Sequence, residues 1–280
     1  MTRNPGPWFA LPVVLFLLAC FAMPIVIVTW YSFMPPRTFD LGTAFTTQNY
    51  TAALSEGYGR PLMWSLLGAG ITTVVTALIS WPAAVILHRH AGKWASVVSA
   101  LIALPIFISE SVRLFGMNVF MMPRAGILAG SLDAVFGIRI GSILNTWEAA
   151  LIGMIYIHLP FMLFPLILGI SLIPQDRIEA ARDLGANRWQ VFREVELPLA
   201  LPGLMIGALL TFVLALGANA EAAILGGRAV TVVTAAIEQR FNYAQDWPMG
   251  AALTVMVIAV TAAIVLPVLA RLDLNRLTRR

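Results

Sequence analysis

AALIGMIYIHLPFMLFPLILGISLI, running from Ala149 to Ile173, holds no acid, lysine or arginine. About 20 apolar residues in a helix cross the hydrocarbon core of a bilayer. Such a helix closes its own backbone hydrogen bonds, which lipid cannot do for it. The stretch therefore reads as a membrane span, with Pro160 tolerated inside it. Comparable runs lie on both sides. One transmembrane domain covering residues 1–280 is expected, with six spans at about 9–33, 63–87, 95–122, 149–173, 199–220 and 247–270. Glu110 and Arg113 interrupt the third.

Composition agrees. Of 280 residues 59% are apolar and 11% charged, and the mean hydropathy is +0.84. Soluble domains carry about 25% charged residues, so a water-soluble fold of this size is excluded. The net charge of +4 comes from basic residues beside apolar runs, which suits orientation in a membrane better than nucleic-acid binding. Eleven basic residues fall on one side of a six-span arrangement: Arg3, Arg89, Lys93, the four arginines of the fourth loop, and Arg271, Arg276, Arg279 and Arg280. Six fall on the other, at Arg37, Arg60, Arg124, Arg139, Arg228 and Arg240. The richer side, with both termini, is expected in the cytoplasm. Leu17-Leu18-Ala19-Cys20 faintly matches a lipoprotein cleavage box, but the apolar run continues to Tyr31, so a retained first span is expected. With one cysteine, no disulfide forms within the chain. Asn49-Tyr50-Thr51 matches a glycosylation acceptor by composition alone.

The fourth loop follows the opening stretch directly: PQDRIEAARDLGANRWQVFREVELP, Pro174 to Pro198. It carries four arginines and five acids. Pro174 and the early acids Asp176 and Glu179 suit a helix start. Ile178, Ala181 and Leu184 form an apolar stripe at intervals of three. Gly185 permits a reversal that a Cβ resists. Trp189, Val191 and Phe192 give a following short helix an apolar side. Two short helices joined at a glycine are expected, either lying on the bilayer or docking a soluble partner. An interfacial helix favours a strongly basic polar face, and this loop's charge of −1 favours a protein partner.

The loop reads Glu179-Ala180-Ala181, three residues, Gly185, nine residues, then Val195-Glu196-Leu197-Pro198. This resembles the EAA loop of ABC-importer permeases, with Val195 at the usual isoleucine. Phe45-Thr46-Thr47-Gln48-Asn49-Tyr50 with Trp64-Ser65-Leu66, Leu104-Pro105-Ile106-Phe107 through Arg113-Leu114-Phe115-Gly116, Leu225-Gly226-Gly227, and Asp246-Trp247-Pro248 through Ala252 are similar to segments of spermidine/putrescine-type permeases. The resemblance spans about residues 45–270. It implies an all-α integral membrane protein with the six-helix type I (MetI-like) permease fold, and residues 174–198 as the coupling loop. It implies a second permease subunit, two cytoplasmic ATPases and a periplasmic binding protein in a bacterial inner membrane. Glu179, Ala180, Ala181, Gly185, Leu197 and Pro198 would couple the chain to the ATPase. No catalytic residue, metal or cofactor is expected in the chain itself. The sequence agrees on one point: it has no Gly-x-x-x-x-Gly-Lys-Ser/Thr loop and one lysine, Lys93, so ATP and its magnesium would sit on the partner ATPase.

Glu110 and Arg113, three apart, share a helix face. Charges within a span are costly and mark pairs or pathways. Glu110, Arg113 and Glu221 are the candidate pathway residues. Arg113 matches an arginine of the resembled family. Glu110 stands where that family has a small or hydroxyl residue, and Glu221 stands three residues beyond its usual acid, at Ala218. Acids suit a polyamine or similar organic cation, whereas Arg113 suits a carboxylate, as on an opine or amino-acid derivative. His158 reads as a packing or hydrogen-bonding residue. Two readings outside the class were weighed. A secondary transporter would show several charged spans and inverted repeats. An intramembrane enzyme would join a nucleophile to a base, which Ser109, Ser111 and His158 do not do by spacing.

Overall fold

The computed structural model describes residues 6–39, 45–90, 92–123, 126–137, 141–227 and 230–271. Arg3, Arg124, Arg139, Arg228, Arg276, Arg279 and Arg280, used above for orientation, lie outside the described residues. Every regular element among the described residues is helical. In order these are α1 (Gly6–Leu17), α2 (Met23–Ser32), α3 (Gln48–Ser55), α4 (Gly59–Arg89), α5 (Ala95–Ala103), α6 (Glu110–Met121) and α7 (Ile127–Phe136). They continue with α8 (Trp147–Ser171), α9 (Gln175–Asp183), α10 (Arg188–Gln190), α11 (Leu197–Leu216), α12 (Ala220–Ile224), α13 (Val233–Glu238) and α14 (Trp247–Arg271).

Five helical stretches are long and apolar enough to span a bilayer: Leu11–Ser32, Gly59–Arg89, Trp147–Ser171, Arg188–Leu216 and Trp247–Ala270. A sixth is made if Gly92–Phe107 and Glu110–Met121 count together, and these meet at a bend of 100°. The bend has a local cause. Pro105 has no N–H to donate, and Ile108 and Ser109 leave helical geometry with ψ of 136° and 135°. The region expected as one span near 95–122 is thus two half-helices, the second opening on Glu110. The fifth membrane helix begins at Arg188, inside the charged loop. What the sequence suggests as a separate second short helix is its first turns. A π turn at Val191–Glu196 precedes Pro198, whose missing N–H shifts the hydrogen-bond ladder.

The described residues form two compact units. One holds α1, α2, α3, α13 and most of α14. In it the Asn49 amide, buried, donates to the carbonyls of Ser32 and Met34 at 3.0 and 2.7 Å, closing the end of α2. That burial leaves no acceptor for a glycan. Arg240 donates to Tyr58 Oη at 2.6 Å and to Glu56 at 3.0 Å, and Asp246 stands 3.6 Å away. Ala53, Met249 and Leu253 fill the small core beside these contacts.

The other unit is built on α8 and α11, which run antiparallel. Gly169 and Gly203 meet backbone to backbone. A Cβ on Gly203 would lie 2.7 Å from the Gly169 Cα. Small residues permit this approach, and dispersion between backbones replaces the hydrophobic drive that lipid does not supply. Ala84, Leu163, Leu166, Ile170, Ile178, Val191 and Ala200 pack into one buried cluster at the loop end of this pair. Gly203→Val should lower the thermal midpoint of the detergent-purified chain, since overpacking typically costs about 1–3 kcal/mol and backbone cannot yield as a side chain does. Gly70→Val, at a position with nothing within 4 Å, should leave the melt unchanged.

Candidate functional site

The charged loop is rigid by construction. The helix α9 ends in a Schellman turn. Gly185, at φ +84°, donates its N–H to the Arg182 carbonyl at 2.8 Å, and Ala186 donates to Ala181 at 3.0 Å. Two residues on, Asn187 and Gln190 form a reciprocal capping box at 2.9 and 2.8 Å, starting the fifth membrane helix. Ile178 and Val191 anchor the two arms in the buried cluster, with Ala181 and Ala186 packed against it.

Glu179, Ala180 and Gly185 are exposed, whereas Ala181 is half-buried. Leu197 and Pro198 open α11, Leu197 half-buried and Pro198 exposed. Leu184, expected on the apolar stripe with Ile178, is 89% exposed. The reason is geometric: two three-residue steps turn a helix about 120° from its starting face, and Leu184 caps the helix rather than continuing it. Trp189 is 65% exposed and leans on Phe192, whose ring meets Trp81 of α4 edge-on at 5.1 Å. Sequence reasoning missed one tie. Arg89, the last residue of α4, donates to Glu196 Oε1 at 3.0 Å, both side chains mostly buried. The opposite charges were visible, but 107 residues apart nothing in the sequence pairs them.

The second assembly of polar groups lies along α8. Glu221, on the short helix α12, is fully buried, and His158 Nδ1 stands 3.8 Å from its Oε1. Glu110 and Arg113 stand in the first turns of α6, which packs against α12 and α8. Glu110 is exposed and Arg113 half-buried, its Nε and Nη1 without a hydrogen-bond partner among the described residues. Of the residues singled out from sequence, Glu221 is brought against His158, whereas Glu110 and Arg113 lie on the neighbouring α6. The helix α12 rests on α6 and α8. Asn118 Nδ2 donates to the Ile224 carbonyl at 3.0 Å, and the Asn145 N–H donates to Leu225 at 2.8 Å. Leu225 seats on Gly153 and packs with Leu114. No group of three or more metal-ligating side chains occurs among the described residues.

Residues 93–272 match the family described as the binding-protein-dependent transport system inner membrane component. The chain belongs to this family. It is a permease of the ABC-importer class, a non-catalytic, multi-pass subunit of the inner membrane. Its relatives include the spermidine/putrescine transport system permease protein PotB of Haemophilus influenzae, 34% identical over 79% of this chain and 77% of that one. PotB of Escherichia coli is 30% identical over 79% and 81%. A bacterial ABC transporter involved in import of the acidic polysaccharide alginate shares the fold, with a TM-score of 0.78 over 99% of this chain and 97% of that one, at 17% identity. In the permease, Arg89→Ala should cost roughly 1.5–3 kcal/mol of stability, because a mostly buried carboxylate loses its charged donor. Replacing both partners, Arg89→Met with Glu196→Met, should recover most of it in the same detergent unfolding assay.

Proposed function

We propose that this permease forms half of the translocation pathway for a polyamine, spermidine or putrescine, or a similar small organic cation. A second permease subunit, identical or not, supplies the other half, two ATPase subunits drive transport, and a periplasmic protein delivers the substrate. Both termini and residues 174–198 face the cytoplasm. The observation that carries the substrate reading is the likeness to PotB permeases over most of the chain. Carboxylates at Glu110 and Glu221 support it, since acids within a span suit a cationic cargo. Arg113, with buried unpartnered nitrogens, favours a second reading: a solute that also bears a carboxylate, such as an amino-acid derivative.

The loop acts as a lever. Glu179, Ala180 and Gly185 offer the ATPase a small, turned surface, flanked by the protruding Leu184 and Trp189. Exposed apolar side chains on a rigid turn outside the membrane suit a protein partner. With Glu196 held by Arg89, the loop's remaining charges are four of each sign, which supports protein over an anionic lipid surface. ATPase closure then moves α9 as a body. The buried cluster and the Arg89–Glu196 pair pass that motion to α4, α8 and α11, while Leu197 and Pro198 carry it into the start of α11. Access to a midplane site alternates as these helices rock.

Affinity purification of the tagged permease in mild detergent should recover an ATPase and a second six-span subunit. Vesicles of that complex with its binding protein should take up radiolabelled putrescine on ATP addition. Uptake of an amino-acid derivative but not putrescine would shift the reading to the second class. Stable transport by this chain alone, without ATP, would overturn it. Gly185→Asp should insert normally yet uncouple ATP hydrolysis from uptake, and normal uptake by that variant would remove the lever role. Trp189→Ala should weaken ATPase retention by about 30-fold, the loss of one interface anchor worth about 2 kcal/mol.

A further inference from the structure

His158 is the twelfth of the 25 residues of α8, close to the middle of that membrane helix. Its Nδ1 lies 2.7 Å from the Met154 carbonyl oxygen. A carbonyl oxygen only accepts, so Nδ1 carries a hydrogen. The same nitrogen faces Glu221 Oε1 at 3.8 Å. Glu221 is fully buried, and neither of its carboxylate oxygens has a hydrogen-bond partner among the described residues. A carboxylate in that position is expensive unless a donor or cation stands by. The polar side chain in contact with it is the imidazole, and at 3.8 Å that contact is electrostatic rather than a hydrogen bond.

The place is mechanically particular. The helix α11 stops at Leu216, and Gly217, Ala218 and Asn219 carry the chain into α12, which has five residues. A helix this short has little stability of its own and depends on what it packs against. Its far end is fixed by Asn118, Asn145 and the seat of Leu225 on Gly153. In its first turn the side chain presented to α8 is Glu221.

We propose that His158 is a positioning residue: its imidazole, locked in place by the Nδ1–H bond to the Met154 carbonyl, stands 3.8 Å from Glu221 Oε1 and through that contact holds the first turn of α12 against α8. The consequence for transport rests on the reading of Glu221 as a pathway residue, whereas the positional claim does not.

The test uses the intact importer complex in lipid nanodiscs, with Cys20→Ser removing the native thiol and Ala222→Cys reporting on α12, where the native side chain is 4% exposed. The readout is the rate of labelling by a cationic methanethiosulfonate. His158→Phe and Glu221→Leu should each speed labelling roughly tenfold, and the double variant should label no faster than either, as expected of two residues acting through one contact. His158→Asn, whose amide nitrogen takes the place of Nδ1, should restore slow labelling. Unchanged rates, a double variant whose effect is the product of the singles, or His158→Asn labelling as fast as His158→Phe would each overturn the proposal. Putrescine uptake by His158→Phe should fall while ATP hydrolysis is unchanged. Fast labelling with normal uptake would leave the positioning claim standing and remove Glu221 from the pathway.

Discussion

The contact on which the larger unit depends is the meeting of Gly169 and Gly203. Lipid is as apolar as a leucine side chain, so burying leucines does not draw membrane helices together. Close backbone approach does, because it brings many atom pairs into dispersion contact at once. With α8 and α11 joined at that point, the loop between them has both ends fixed. Its cluster around Ile178, Leu166, Ile170 and Val191 then has a floor to pack on.

That arrangement explains why a polar loop of mixed charge behaves as one solid piece. Its turn is held by backbone bonds at Gly185, its restart by Asn187 and Gln190, and its base by Arg89 and Glu196. Each tie uses a different chemistry, so no single local fluctuation releases the loop from the helices it serves. On the proposed lever reading, a force applied at Glu179 and Ala180 would reach α4 as well as α8 and α11. The rocking of a bundle requires this, and a flexible tether would dissipate it.

Much of this was legible in the sequence. Apolar runs announce spans because length and charge exclusion are imposed by the bilayer, and Gly185 announces the turn because a left-handed residue needs it. The bend between α5 and α6 was written in Pro105, though proline within spans reads equally as a mild kink. Leu184 was misread because a spacing of three follows a helix face only briefly. His158 makes the hydrogen bond its type suggests, to Met154, yet its closeness to Glu221, itself a candidate from the sequence, is invisible there. The two are 63 residues apart in the sequence, and no periodic pattern says that the chain after α11 lies back along α8. Asn49 shows the reverse: a matching tripeptide means nothing once its amide is spent on backbone carbonyls.

The first apolar helix differs from the others. Its most apolar 18-residue stretch, within Leu11–Ser32, has a mean hydropathy of 2.9, the highest among the five continuous spans, and none of that stretch is buried by the rest of the chain. A segment of that kind partitions into a membrane on its own account, without needing a tertiary partner to cover it. Over that stretch the side chains answer to the lipid for their apolarity rather than to a packed interior for their shape.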